Sequence, residues 1–423
     1  VLASSTRRQG IALLTVVAGC AGGLIAACQV VAGIERVDKG SEVPSSPSAE
    51  TDAGDAASNP PGDPCVHAGL PGLPEVDNDP TRELPTIVMA VDTSTINPNG
   101  VSAEGVDLDG VCTCDTRLDT AHGGASSCVR AGEPICDGDG GVDSHFAAAV
   151  AAFTTAFDRD DFTRVNETIR LGRTSLLLFL RKYNGLANDR DVELGIVASN
   201  GLRDSHCPDS VEGPLGFYSP GWCGDDEWTV FPDTIVNGFP IAYTAGHVSD
   251  YRLVVELDYG IPIPFGNVQV VAGSPITFGR LVPLGDDLKP RDPARPPATA
   301  NEQRFYRIED GLISGRVAAT DMLAGLGSSL LPDSVGGGRL CQNPTLYSLV
   351  HDRICGALDI AKSKKLDFAD GYACDAVSTS IYFTAAPARF GKTDTSPQEE
   401  NGCAAVDGGP IDSGSSVTTY SCK

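Results

Sequence analysis

Leu176-Leu177-Leu178-Phe179-Leu180-Arg181, a turn over Tyr183–Asp189 and a returning run Val192–Val197 form the stretch that decides the fold class. An apolar run, a glycine-containing turn and a second apolar run read as paired strands. Thr86–Val91 upstream and Arg252–Leu257, Asn267–Val271 and Ser380–Ala385 downstream continue the theme. Strands at this spacing predict a mainly β fold, a disulfide-stabilised β-sandwich or jelly roll, rather than a parallel α/β sheet. A few peripheral helices are expected. One is capped by Asp143 or Ser144 and carries Phe146, Val150, Phe153 and Phe157 on one face. The others run near Ala318–Leu331 and Pro344–Ala361, the latter with proline at a favoured first-turn position. Residues 286–303 read as a Pro-rich surface loop.

The N-terminal region addresses location. Arg7 and Arg8 form a positive n-region, Ile11–Val17 an apolar run, and Leu24-Ile25-Ala26-Ala27-Cys28 a lipobox. Residues 1–28 are therefore expected to be a lipoprotein signal, with Cys28 lipidated. Val17-Ala18-Gly19-Cys20 offers a second, shorter lipobox. The opening Val1 reads as a translated GUG start or an incomplete N-terminus. Residues 29–64 carry a Ser-, Pro-, Ala-, Gly- and acid-rich stretch from 40 onward without aromatics, and are expected to be a flexible tether. The folded part, 65–423, is expected to be a single domain with a Cys/Asp-rich insertion at 105–143 and a disulfide-tied tail at 393–423. Gln29 follows the anchor cysteine instead of the aspartate that retains enterobacterial lipoproteins at the inner membrane. The expected location is the outer membrane or cell surface.

A formal charge of −25 excludes an electrostatic nucleic-acid binder, which needs a basic face. Of 14 cysteines, removing Cys20 and Cys28 leaves an even set, which an exported chain pairs into disulfides. The expected partners are the membrane, through the N-terminal lipid, and a polysaccharide or an envelope protein.

Gly105-Val106-Asp107-Leu108-Asp109-Gly110 with Cys112-Thr113-Cys114, then Cys136-Asp137-Gly138-Asp139-Gly140-Gly141-Val142-Asp143, resembles a family of uncharacterised exported lipoproteins of myxobacteria. Tyr183-Asn184-Gly185, Asn188-Asp189, Val192, Trp222, Trp228, Cys374-Asp375-Ala376 and the Phe383 strand extend that likeness over most of the chain after the tether. The resemblance brings no activity with it. More weakly, Thr174–Val197 is similar to the hairpin of laminin-G and concanavalin-like sandwiches.

Four sets of residues are candidates for chemistry. Glu256 and Asp258 in Val255-Glu256-Leu257-Asp258-Tyr259-Gly260 fall on one strand face and resemble the start of the acidic strand of concanavalin-like retaining glucanases. The third acid of that motif is missing, with Gly260 or Ile261 in its place. The alternative role of carbohydrate-active enzyme thus rests on an acid from elsewhere. Asp107, Asp109, Asp137, Asp139 and Asp143 are candidate calcium ligands. Ala148 stands where an EF-hand loop needs its bidentate glutamate, so the choice is a non-EF site or Asx turns in a disulfide knot. Cys112, Cys114, His122, Cys128, Cys136 and His145 could form a zinc site, but the CxC spacing and an oxidising compartment favour disulfides. Trp222 and Trp228, in a loop pinned by Cys207 to Cys223, are candidate sugar-stacking residues, or else plug the core.

Overall fold

The computed structural model describes residues 67–96, 105–114, 126–130, 132–151, 165–213, 216–265, 268–285, 287–292, 305–331, 337–394 and 420–422. The signal, Cys20 and Cys28, the tether, Phe153 and Phe157, His122 and most of the tail lie outside them. Among the described residues the strands are β1 (Ile87–Ile96), β2 (Ser175–Arg181), β3 (Asp189–Ser205), β4 (Val211–Glu212), β5 (Tyr218–Ser219), β6 (Asp226–Val230), β7 (Ile235–Val236), β8 (Phe239–Pro240), β9 (Thr244–Ser249), β10 (Arg252–Glu256), β11 (Ile261–Phe265), β12 (Val268–Pro283), β13 (Tyr306–Ala318), β14 (Ala376–Pro387) and β15 (Arg389–Thr393). The helices are α1 (Phe146–Ala151), α2 (Val165–Arg170), α3 (Ala319–Gly327) and α4 (Pro344–Gly356).

The fold is mainly β, but the expected sandwich or jelly roll is not what forms. A single sheet closes on itself. The ring runs β1-β2-β3-β9-β10-β12-β13-β14 and back to β1, every pairing antiparallel, and the β3–β9 pairing shuts it. Closure removes the unpaired edges that two facing sheets would keep.

Two long strands make closure compatible with the extra strands. The first part of β3, Asp189–Leu194, pairs with β9, while its end, Ser199–Ser205, pairs with β6 and leaves the ring. In β12, Ile276–Arg280 pairs with β10 and Val268–Ala272 with β11. Register shifts mark the bends, at Ser199/Gly201 and Leu202/Asp204 in β3 and at Gly273/Ile276 in β12. Such bulges bend and twist a strand, as a barrel wall requires. On its outer edge β11 carries Pro262 and Pro264, which lack the N–H groups a docking strand would need.

The barrel interior is filled with side chains. Met89, Leu178, Leu194, Val248, Leu253, Leu281, Ile308 and Ile381, one from each ring strand, belong to one buried cluster. The alternate residues of the same strands, Ala90, Leu177, Phe179 and Val197, pack outward under Trp228, Val230, Ile235 and Ala388 of an outer layer. Burial on both faces is why Leu176–Leu180 reads as an unbroken apolar run rather than an alternating one. At one end, where Ile96 meets Ile381 and Ala318 meets Ala376, α3 and α4 supply Met322, Leu323, Leu326, Val350 and Ile354 to the core. A void of about 20 Å³ remains beside Val91, Leu176 and Phe383. At the other end Tyr183 and Tyr306 meet edge to face at 5.6 Å.

Disulfides tie the periphery to this frame. Cys114–Cys136 closes the insertion, and Cys128–Cys374 staples it to the segment entering β14. Cys207–Cys223 pins the tryptophan loop as the sequence suggested, and Cys355–Cys422 holds the chain end on α4. Val106 and Leu108 of the insertion pack on the outer faces of Leu312 and Ala376.

Candidate metal centre

The insertion lies along the outer wall of β13 and β14, and its acids converge there. Asp107, Asp109 and Asp143 place carboxylate oxygens within 4.8 Å of one another. Asp137 is not within that group, although its charge is among the causes that raise the Asp143 pKa. Asp139, by contrast, is exposed and stands apart. Local chain geometry aims the four carboxylates. Each accepts a backbone N–H: Gly110 donates to Asp107 at 2.6 Å, Val111 to Asp109 at 3.0 Å, Thr113 to Asp137 at 2.7 Å and Leu108 to Asp143 at 2.7 Å. The bonds at Asp107 and Asp109 are local Asx-type turns, whereas those at Asp137 and Asp143 tie the second loop to the first.

Gly141 is needed for the two acidic loops to meet. Its φ is +73°, and a Cβ there would stand 2.7 Å from the Val111 carbonyl and 2.8 Å from Asp107 Oδ2. Ser127, 2% exposed, lies against Asp109, yet its Oγ has no hydrogen-bond partner of normal geometry.

The electrostatics of the cluster are unfavourable as they stand. Burial, then the neighbouring Asp107 charge, pushes Asp109 up to about 7, opposed by the Ser127 hydroxyl beside it. Burial and Asp109 push Asp137 up to about 8. Asp143, 2% exposed, is raised well above the carboxylate range by burial and by Asp109, Asp137 and Asp359. Burial also raises Asp107, although His67 bonds it and opposes the shift. Two like charges about 5 Å apart repel by roughly 3 kcal/mol at an effective dielectric near 20. The cluster must therefore hold protons or a cation.

Behind it, His145 sets Nδ1 2.8 Å from Asp359 Oδ2 and Nε2 2.9 Å from the Cys136 carbonyl. Both ring nitrogens face acceptors, which suits the imidazolium. Burial opposes that charge, but Asp359 outweighs it and the pKa is raised. Ser378 Oγ donates to Asp359 at 2.5 Å, so serine, histidine and aspartate meet here. The order is wrong for a nucleophile: serine bonds the acid, and His145 Nε2 faces a backbone carbonyl. All three are buried, and the trio is a clamp between the insertion, β14 and the chain after α4.

The remaining candidates disperse. Glu256, exposed at the end of β10, pairs with Lys364 at 3.3 Å, and exposed Asp258 accepts from Thr244 at 2.8 Å. Trp228 is fully buried, and Trp222 is half-buried against it at 5.9 Å between ring centroids. The Trp222 N–H donates to buried Asp226 at 2.7 Å, which fixes its loop. The zinc alternative fails because Cys112, Cys114, Cys128 and Cys136 are all in disulfides and offer no thiolate. Sequence reasoning found the four acids but missed Ser127, Gly141 and Asp359. Only their placement in the fold, which no spacing shows, sets them beside the acids and His145.

No family model, no curated protein and no solved structure matches the chain. The class of protein is therefore defined by its architecture alone: a closed, side-chain-filled antiparallel barrel with a disulfide-stapled acidic insertion on its wall.

Proposed function

We propose that this protein is an exported lipoprotein of the cell envelope, with a ligand-binding or structural role carried by the outside of its barrel. Residues 1–27 are cleaved off, Cys28 becomes the lipidated N-terminus, and 29–64 spaces the folded part from the outer membrane or cell surface. The observation that carries the reading is the filled interior, because a packed lumen has no room for a substrate and leaves the outer surface to act. Disulfide bonding of every described cysteine supports an oxidising compartment.

Polysaccharides and envelope proteins are the partner classes proposed. An outer groove of about 500 Å³, lined by Arg130, Thr320, Lys362, Tyr372 and Asp375, has the size of a small-ligand site. Of the two indoles, Trp222 alone is partly exposed. The hydrolase alternative gains no support, since Glu256 is paired with Lys364 and Asp258 with Thr244 in open solvent.

Fractionation of cells expressing the full chain tests the anchor. Wild type is expected with the outer membrane and the Cys28→Ser variant in the soluble periplasm. Cytoplasmic recovery of both would overturn the proposal. Co-sedimentation of the detergent-solubilised full chain with a polysaccharide panel separates the two roles: retention on one polymer, weakened by Trp222→Ala, assigns binding, and no retention assigns the structural role.

A further inference from the structure

We infer that Asp107, Asp109 and Asp143 form a calcium site that locks the acidic insertion onto the barrel wall. The convergence of three carboxylates within 4.8 Å of one another is one observation. A second, independent one is Ser127, 98% buried by its 2% exposure, with its Oγ turned into the cluster at Asp109 and no hydrogen-bond partner of normal geometry. A third is the cradle at Gly141, where the backbone has left no room for a Cβ between the Val111 carbonyl and Asp107 Oδ2.

The donor set selects the ion. Carboxylates, a hydroxyl and a backbone carbonyl are hard oxygen donors, suited to calcium and not to zinc or copper. The neighbouring Cys112 is disulfide-bonded and contributes no thiolate. An irregular cage assembled from two loops also favours calcium over magnesium, which demands a near-ideal octahedron and keeps its water. The bound ion would replace mutual repulsion with shared attraction between Asp107/Asp109 on one loop and Asp143 on the other. Leu108, between the first pair, packs on the wall with Leu312 and Ala376, so the ion fixes the insertion where it meets the barrel.

The test uses the full chain in detergent, stripped with EDTA at pH 7.5 and titrated with calcium or magnesium, with binding read by calorimetry and stability by Tm. Calcium is expected to bind with a Kd between roughly 10⁻⁶ and 10⁻³ M, at least tenfold tighter than magnesium. At a hundredfold excess over Kd the folding equilibrium gains a factor of about 100, seen as a Tm raised by several degrees. Asp109→Asn keeps the acceptor for Val111 and removes one charge. It is expected to weaken calcium binding at least tenfold, yet to melt in EDTA no lower than wild type, because repulsion is relieved. Asp139→Asn, outside the cluster, is expected to bind calcium as wild type does. If Asp109→Asn does not fold, Asp143→Asn makes the same test. No binding by wild type, or an asparagine variant that melts lower in EDTA while keeping the full calcium shift, overturns the inference.

Discussion

The Arg316 and Asp367 side chains are both buried, and the pair ties β13 to the segment between α4 and β14. Arg316 rises from β13 and meets Asp367 in a two-pronged contact, 2.6 and 2.7 Å, while also donating to the Ala361 carbonyl at 2.8 Å and the Leu108 carbonyl at 2.7 Å. The two side chains are 4% and 5% exposed. Asp367→Asn keeps the shape and removes the counter-charge, leaving a guanidinium with only carbonyl dipoles around it. Breaking a buried pair in this way costs about 3–5 kcal/mol, against a total stability of about 5–15 kcal/mol. With a urea m-value of about 3 kcal/mol/M, the midpoint falls by about 1 M or more. The double variant Arg316→Met/Asp367→Leu removes both charges and orphans two carbonyls at about 1–3 kcal/mol each. It is expected to unfold at a higher urea concentration than Asp367→Asn whenever those carbonyls find water. Urea unfolding followed by far-UV circular dichroism gives all three midpoints. A cost below about 1 kcal/mol for Asp367→Asn would mean a solvent-screened pair, and would refute its burial.

In calcium-free buffer the folded chain keeps protons on Asp109 and Asp137, raised to about 7 and about 8, that the unfolded chain has lost by pH 6. The unfolded state binds fewer protons, so stability is expected to fall as pH rises from 6 to 9, by at most about 1.4 kcal/mol per pH unit per group. Urea midpoints in EDTA that stay level or climb would contradict this. Trp228→Ala is expected to cost about 3–5 kcal/mol as a full-core truncation, and Trp222→Ala distinctly less. In Trp222→Phe the remaining indole should resist acrylamide quenching; ready quenching would place Trp228 at the surface.

Strand locations were largely legible in the sequence, but their closure was not. Runs such as Thr86–Val91 and Arg252–Leu257 are apolar whether a sheet faces a partner or curls. What distinguishes a barrel is the meeting of β3 with β9, which leaves no local signal. β13 was missed altogether because Asp310-Gly311 imitates a turn. Asp310 does adopt φ +51°, yet the register shift at Ile308/Gly311 makes it a bulge within one continuous strand. The disulfide pairing of Cys207 with Cys223 was readable from their flanking loop, whereas Cys128–Cys374 joins residues 246 apart. The acids of the insertion were visible as a set. Which of them converge depends on Gly141 and on the wall beneath them, so the exclusion of Asp139 had no sequence signature.

The assignment of function to the outer surface depends on the barrel being closed. Residue-resolved amide hydrogen exchange along β9 tests this most directly. In the closed barrel, N–H groups of Gly246–Val248 alternate between β10 and β3, and successive amides are all protected. Slow exchange is expected at each of them. Fast exchange at the amides facing β3, with slow exchange only at those facing β10, would show an open sheet edge and contradict closure.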